Sequence, residues 1–292
     1  MKIYNLGSLN IDYVYTVDHF VAAGETISSS KMEIFPGGKG LNQSVAIARA
    51  GGKAVHGALL GDGAEFLAEQ MRSSGVDTTK IKKVPGSPGH AIIQVDRNGE
   101  NCIMLFAGTN RNLDAGYVSE FLSDAEPGDI LLAQNETNCI KEAFLAAHEK
   151  GMKIALNPSP FDEKIKEFPL DIVDIWFCNE IEGAALTGKT APEDICRAFA
   201  KRYPDSALVL TLGEEGSVYC DKNETVKQRS YKAEPVDTTA AGDTYTGYFL
   251  ASLASGKSVA DAMDAASRAS AITVSRMGAS SSIPYLDEVK NG

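Results

Sequence analysis

Between Asp237 and Gly247 the chain reads D-T-T-A-A-G-D-T-Y-T-G. Ala240, Ala241 and Gly242 carry almost no side chain, and Asp243 follows at once. An apolar helical pattern then begins with Tyr245, Tyr248, Phe249, Leu250 and Leu253. A helix N-terminus offers unpaired N–H groups and a positive partial charge. With so little side chain in the way, an anion can reach those amides directly. Phosphoryl transfer needs such a cradle, and a carboxylate that takes the proton of the acceptor hydroxyl. The amides of residues 240–243 and the Asp243 carboxylate would supply both within one turn. A plain N-cap role for Asp243 is the competing view, and it gives the A-A-G no purpose.

Three further segments carry polar groups where ligands bind. P-G-G-K-G-L-N-Q-S, Pro36 to Ser44, has glycines that permit close backbone approach, with Asn42 and Gln43 opening a helix. Asn42 could hold a polyhydroxy ligand, and Lys39 could meet a carboxylate or phosphate; a plain glycine-rich turn is the alternative. G-S-L-N-I-D places Asn10 and Asp12 just after the first strand, at the end where open parallel sheets bind ligands. Asp12 in a β-branched run is otherwise costly unless it lies on an exposed edge. N-E-I-E sets Asn179 and Glu182 three residues apart on one helical face, where they could order water around Mg²⁺ or simply charge a first helical turn. G-A-A-L-T-G-K-T, Gly183 to Thr190, matches the P-loop pattern letter for letter. That loop must follow its strand directly, and here N-E-I-E intervenes. Gly188 therefore suits a helix end, with Thr190 capping a new helix that has Pro192 in its first turn. A P-loop NTPase using Lys189 is the competitor this argues against.

The elements around these segments alternate. Strand patterns cover Lys2–Leu6, Ile11–Val17, Ala54–Leu60, the I-L-L-A-Q and K-I-A-L-N runs, Ile172–Cys178 and A-L-V-L-T-L. Helix patterns cover about 42–50, 64–73, 139–150, 192–202, 243–255 and 258–275, with a short one near Glu180. Near-continuous apolar strands separated by helices imply a parallel sheet covered on both faces. Two β-runs around Asn98-Gly99 give a hairpin signal. With the 11–17 and 30–35 stretches they suggest a small inserted sheet.

The 292 residues, 43% hydrophobic and 23% charged, suit an ordinary globular chain with a sizeable core. A net charge of −11 argues against nucleic acid or an anionic membrane surface as partner. Any phosphate site must then be local. Cys102, Cys139, Cys178, Cys196 and Cys220 are scattered without a C-x-x-C pair, which points away from a disulfide framework or zinc site and toward a reducing cytoplasm. His19, His56, His90 and His148 show no metal-ligand spacing. The N-terminus lacks a signal-peptide pattern, and no apolar run has membrane-spanning length.

Taken in order, the four segments resemble the ribokinase-like, PfkB-type family of sugar kinases over essentially the whole chain. The signatures are G-G-K-G-x-N-Q at Gly37–Gln43 and D-T-T-A-A-G-D-T at Asp237–Thr244. The resemblance implies a three-layer α/β sandwich over residues 1–292 with a mostly parallel central sheet. It adds a small β lid inserted from about 11–35 and 88–108, which would also form a homodimer contact. It implies Asp243 as catalytic base and Ala240, Ala241 and Gly242 as anion hole. Asn179 and Glu182 would organise Mg²⁺–ATP, with Thr211, Gly213, Gly216, Gly242 and Ser267 beside the nucleotide. Asn10, Asp12, Gly38, Asn42 and Glu136 match the ribose contacts of the family and would join Asp243 in holding the sugar, with Lys39 also a substrate-binding candidate. Asp237, Thr239, Thr273, Arg276, Gly278 and Ser282 would hold a monovalent cation, K⁺, mostly through backbone oxygens. The implied activity is ATP-dependent phosphorylation of D-ribose at O5. Another acceptor on the same scaffold (fructose, deoxyribose or a nucleoside) is the near alternative, and a catalytically dead sugar-binding regulator the distant one. Three positions depart from the pattern. Asn135 stands where an apolar residue is expected, H-F-V-A-A-G-E-T lacks the usual proline, and Ser267 replaces a frequent His or Asn.

Overall fold

The computed structural model describes residues 1–291. In chain order the strands and helices are β1 (Ile3–Leu6), β2 (Asn10–Thr16), β3 (Lys31–Gly37), α1 (Lys39–Arg49), β4 (Ala54–Leu60), α2 (Glu65–Ser73), β5 (Ile81–Lys83), β6 (Gly89–Val95), β7 (Asn101–Phe106), α3 (Ala115–Phe121), β8 (Ile130–Gln134), α4 (Ile140–Glu149), β9 (Lys153–Asn157), β10 (Ile175–Asn179), α5 (Glu180–Thr187), α6 (Pro192–Arg202), β11 (Ala207–Thr211), β12 (Ser217–Cys220), β13 (Thr225–Gln228), α7 (Ala241–Ala254), α8 (Val259–Val274) and α9 (Leu286–Asn291).

The central sheet has the order β13-β12-β11-β10-β9-β8-β1-β4-β5, parallel from β11 to β5 and antiparallel at β12 and β13. Its strands are apolar on both faces because both faces are covered. Alternate side chains divide between two cores. Ile3, Ile130 and Leu132 pack with Val45, Phe249 and Met263 of α1, α7 and α8. Tyr4, Leu131 and Ala133 pack with Val118, Phe144 and Phe199 of α3, α4 and α6. This is the expected α/β sandwich of three layers.

A second sheet, β3-β2-β6-β7, supplies the small inserted unit. Its hairpin closes differently from a two-residue Asn-Gly turn. Asp96 pairs with Glu100 through its N–H and accepts from Gly99, whose φ is 81°, so the loop is longer and the glycine takes the left-handed place. Helix α1 starts at Lys39, three residues earlier than its pattern predicts. Gly40 lies so close to Gly7 and Ser8 that a Cβ would stand 2.4 Å from the Ser8 nitrogen. The expected strand over Ile172–Cys178 begins only at Ile175, after a short 3₁₀ turn. Gly188 ends α5 at φ 70°, and Lys189 behind it is exposed, so no P-loop forms. Ala191, not Thr190, caps α6, with Pro192 first in the helix. The cysteines are all free, and no helix is long and apolar enough to cross a membrane among the described residues.

Candidate active site

The turn into α7 is built as its sequence requires. Ala240, the N-cap, takes the left-handed φ 63°, ψ 6°. For a non-glycine residue such a conformation costs on the order of 1–3 kcal/mol, and it persists where the surroundings over-determine it. Ala241 gives its N–H to Thr238 O at 3.3 Å, which removes one amide from the expected cradle. The amides of Gly242 and Asp243 have no acceptor among the described residues. A Cβ at Gly242 would meet no atom within 4 Å. The corner is therefore open, and a helix dipole of 14 residues points through it.

Asp243 is the third residue of α7, and no backbone amide caps onto its carboxylate. Asn42 Nδ2 donates to Oδ2 at 3.1 Å and Gln43 Nε2 to Oδ1 at 2.9 Å. The capping role thus gives way to a buried acid aimed by two amides. Close helix packing brings them together: Gly247 of α7 lies against α1, where a Cβ would come within 2.4 Å of Ala46 Cβ. Gln43 is a neighbour of that acid which its sequence position announces only as a helix opener. Asn157, which accepts from Gln43 at 3.0 Å, ends β9 and carried no signal beyond being a polar strand terminus.

On one side of Asp243 and Lys39 lie the expected sugar ligands. The small sheet carries Asn10 and Asp12 in register with Gly37 and Phe35 of β3. A Cβ at Gly37 would stand 1.9 Å from the Asp12 carboxylate and displace it. Asn110 Nδ2 donates to Asn10 Oδ1 at 2.8 Å and fixes that amide. Glu136 Oε2 accepts from the Lys39 amide at 2.9 Å and from the Ser8 hydroxyl. Gly38 bridges these groups at φ 97°. Burial raises the Glu136 carboxyl above its ordinary value in spite of Lys39 and Ser8. Burial works against the Lys39 ammonium, but Asp243, Glu136 and Glu182 together raise its pKa.

Burial, helped by the Glu136 charge, pushes Asp12 up to about 7. The folded protein then holds this proton more tightly than the unfolded chain does. Stability falls as pH rises from the ordinary carboxyl value toward about 7. Asp12→Asn is expected to remove that slope and to raise the melting temperature at pH 8 by on the order of a few degrees. Thermal melts from pH 4 to 8 check this, and an unchanged slope refutes it.

On the other side Lys39, Asp243 and Gly242 border an open cleft of about 1330 Å³. This exceeds the ~300–1,000 Å³ of an ordinary small-molecule pocket. Asn179, Glu182, Thr211, Gly213, Gly216 and Ser267 all line it. Asn179 and Glu182 form a capping box: Asn179 Oδ1 accepts the Glu182 N–H at 2.8 Å and Glu182 Oε2 the Asn179 N–H at 3.0 Å. Asn179 is therefore the cap rather than a member of the helical face, and one Glu182 oxygen stays uncommitted. Gly216, at φ 103°, has no room for a Cβ beside Gln228 O at 2.1 Å.

Behind the corner, Asp237 closes a loop by accepting from Thr239 N at 2.9 Å and Gly278 N at 3.0 Å. Thr273 lies beneath, 3.1 Å from the Thr244 hydroxyl. Arg276 turns its guanidinium to Glu288 at 2.6 Å, so only its backbone is available to an ion. Ser282 gives its hydroxyl to Ala279 O at 2.7 Å. No cluster of three His, Cys, Asp or Glu forms a metal site among the described residues.

The family described as pfkB family carbohydrate kinase matches residues 2–286. This chain belongs to that family. The kinase is 35% identical over 294 residues to a ribokinase of Haemophilus influenzae, covering 97% of this chain and 95% of that one. Ribokinase of Cryptococcus neoformans in complex with ADP superposes with a TM-score of 0.87 at 33% identity, covering 99% of both chains. Arabidopsis thaliana ribokinase complexed with ribose and ATP superposes with a TM-score of 0.90 at 28% identity, covering 99% and 97%.

Two departures of this kinase from its family pattern have structural reasons. Asn135 is buried, yet its amide donates to Pro160 O at 2.7 Å and its backbone N–H to Ser159 O at 3.1 Å. An apolar side chain could not hold the β9 exit in that way. Ser267 gives its hydroxyl to Arg229 O at 3.1 Å and so ties α8 to the segment across the cleft. The missing proline before Gly24-Glu25-Thr26 has no structural explanation.

Proposed function

We propose that this chain transfers the γ-phosphoryl group of ATP to O5 of D-ribose. The observation that carries the reading is the unobstructed Gly242 corner, whose free amides share one helical turn with a buried, amide-aimed carboxylate. ATP occupies the large cleft with its phosphates toward α7. Ribose lies between Asn10, Asp12, Lys39, Asn42, Glu136 and the Gly38 backbone, with O5 toward Asp243. Asp243 takes the O5 proton as the O5–Pγ bond forms and the bond from Pγ to the bridging oxygen breaks, releasing ADP. The amides of Gly242 and Asp243 receive the charge on the transferring group. Glu182, with its free oxygen, and Asn179 would hold hydrated Mg²⁺, which supplies positive charge to the phosphates. The carbonyls around Asp237, Thr239, Thr273, Arg276, Gly278 and Ser282 suit a large monovalent cation such as K⁺, since neutral oxygens replace its hydration shell.

A coupled assay across ribose, 2-deoxyribose, fructose and nucleosides tests the acceptor. Ribose should lead 2-deoxyribose by ~10²-fold or more in kcat/KM, because a site built for hydroxyls is left with unpaired groups when one is missing. Fructose or a nucleoside in first place overturns the assignment.

The small sheet is proposed as a lid and as the homodimer contact. Met32, Ile34, Ile103, Met104, Leu105 and Phe106 are all exposed on it. Met32, Ile34, Met104 and Phe106 share one face of the sheet, and apolar side chains left exposed there are what an interface would cover. Met104→Glu combined with Leu105→Glu should convert a dimer to a monomer in sedimentation; a wild-type monomer at micromolar concentration rejects the proposal. The cytoplasm is the proposed location, on the strength of the free thiols.

A further inference from the structure

Asp243 does not stand alone: a buried network of amides runs from it into the central sheet. Gln43 Nε2, which donates to Asp243, also donates to Asn157 Oδ1 at 3.0 Å. Gln43 Oε1 accepts from Gln134 Nε2 at 2.7 Å, and the same nitrogen donates to Asn5 Oδ1 at 3.0 Å. Asn5 Nδ2 in turn donates to Gly40 O and Ser44 Oγ, both at 2.8 Å. Asn157 Nδ2 donates to Phe177 O at 2.8 Å. Asn5, Gln43, Gln134 and Asn157 are all buried. Asn5, Gln134 and Asn157 sit on the adjacent strands β1, β8 and β9, with Gln134 paired directly to Asn157.

An amide can present either its N–H or its C=O to a neighbour. In this network both ends are fixed by backbone carbonyls, which only accept. Gly40 O obliges Asn5 to turn its nitrogen inward, so Asn5 Oδ1 must accept from Gln134. Gln134 then spends its nitrogen on Gln43 Oε1. Phe177 O orients Asn157 in the same manner, leaving Asn157 Oδ1 to accept from Gln43. Two acceptors therefore dictate that Gln43 shows N–H to Asp243. A flipped Gln43 would set a carbonyl against the carboxylate and disfavour its charged form.

We propose that Gln43 is a positioning residue for the catalytic base, and that Gln134 and Asn157 lock its orientation. The network holds one carboxylate oxygen in place, and neither Gln43 nor Gln134 lines the cleft. This inference rests on the assignment of Asp243 as the base.

The test uses volume-conserving replacements, Gln43→Met and Gln134→Met, in the full-length enzyme, with kcat and KM measured from pH 5 to 9. Removing a donor to the charged carboxylate disfavours that form, so the acid limb of kcat should move toward higher pH in Gln43→Met. At pH 7 its kcat should fall ~10–10²-fold, with KM for ribose and ATP within about twofold of wild type. Gln134→Met should shift the limb in the same direction by less, and it serves if Gln43→Met does not fold. A loss confined to KM, or a lower kcat with the acid limb unmoved in both variants, overturns the positioning role. Asp243→Asn, assayed alongside, separates the two inferences: near-wild-type turnover there refutes the base itself, whereas an inactive Asp243→Asn with unaltered Gln43→Met refutes only the network.

Discussion

Asp243→Asn is expected to lower kcat by ~10²–10⁴-fold while sugar and nucleotide still bind. The replacement is isosteric, so the corner keeps its shape, but the amide nitrogen has no lone pair with which to take the O5 proton. The substitution also leaves one donor too many. Asn42 and Gln43 each point an N–H at the carboxylate, at 3.1 Å and 2.9 Å, and the new side chain offers a single oxygen. One donor must turn away or go unpaired, which costs about 1–3 kcal/mol. Relief from burying a charge acts in the opposite sense. The melting temperature should therefore change little beside the loss of turnover. Steady-state kinetics with calorimetric titration of ribose separates the two effects. Turnover within tenfold of wild type would remove Asp243 from the chemistry.

The bare turn into α7 was legible because its parts are contiguous. Ala240 to Asp243 declare a bare helix entrance and an acid in four successive residues, and no distant contact is needed to interpret them. The parallel strands were legible for a related reason: I-L-L-A-Q and A-L-V-L-T-L are too uniformly apolar for one-sided burial. The start of α1 was not, since G-K-G disfavours a helix by propensity. The segment is held by distant partners: Gly40 packs on Gly7 and Ser8, and the Lys39 and Leu41 amides go to Glu136 and Ser8 O. Strands β12 and β13 were missed because their antiparallel pairing depends on Gly216 turning at φ 103° against Gln228 O.

The amides around Asp243 were the least legible part. Gln134 and Asn157 appear in sequence as polar ends to apolar strands, which describes many strand ends. Their meaning lies in meeting Gln43 across 91 and 114 residues. Buried amides at the carboxyl ends of neighbouring parallel strands were the available signal, since burial without partners is costly and that edge is where ligands bind. Asn179 and Glu182 show the converse. Their spacing was legible as a charged first helical turn or as a metal-ordering pair, and the structure makes a capping box of them while leaving them on the cleft wall.

Gly242→Val is expected to cost ~10²–10³-fold in kcat with no loss of thermal stability. Other glycines here have no such room: Gly40 faces backbone at 2.4 Å, and a side chain on Gly37 would displace the Asp12 carboxylate at 1.9 Å. Gly242 differs, since an added Cβ meets nothing within 4 Å and valine is the better helix residue by a few tenths of a kcal/mol. The folded state thus has room for the side chain, and only an incoming ligand does not. Branched carbons projecting over the free amides of Gly242 and Asp243 would occupy the volume that the transferring phosphoryl oxygens need. The sugar contacts proposed for Asn10, Asp12 and Glu136 lie on the other side of Lys39, so KM for ribose should move far less than kcat. Gly242→Ala, with a single methyl, should fall between the two. Melting curves and steady-state kinetics on both variants decide the matter. A valine variant that folds and turns over like wild type would show that the phosphoryl group docks elsewhere.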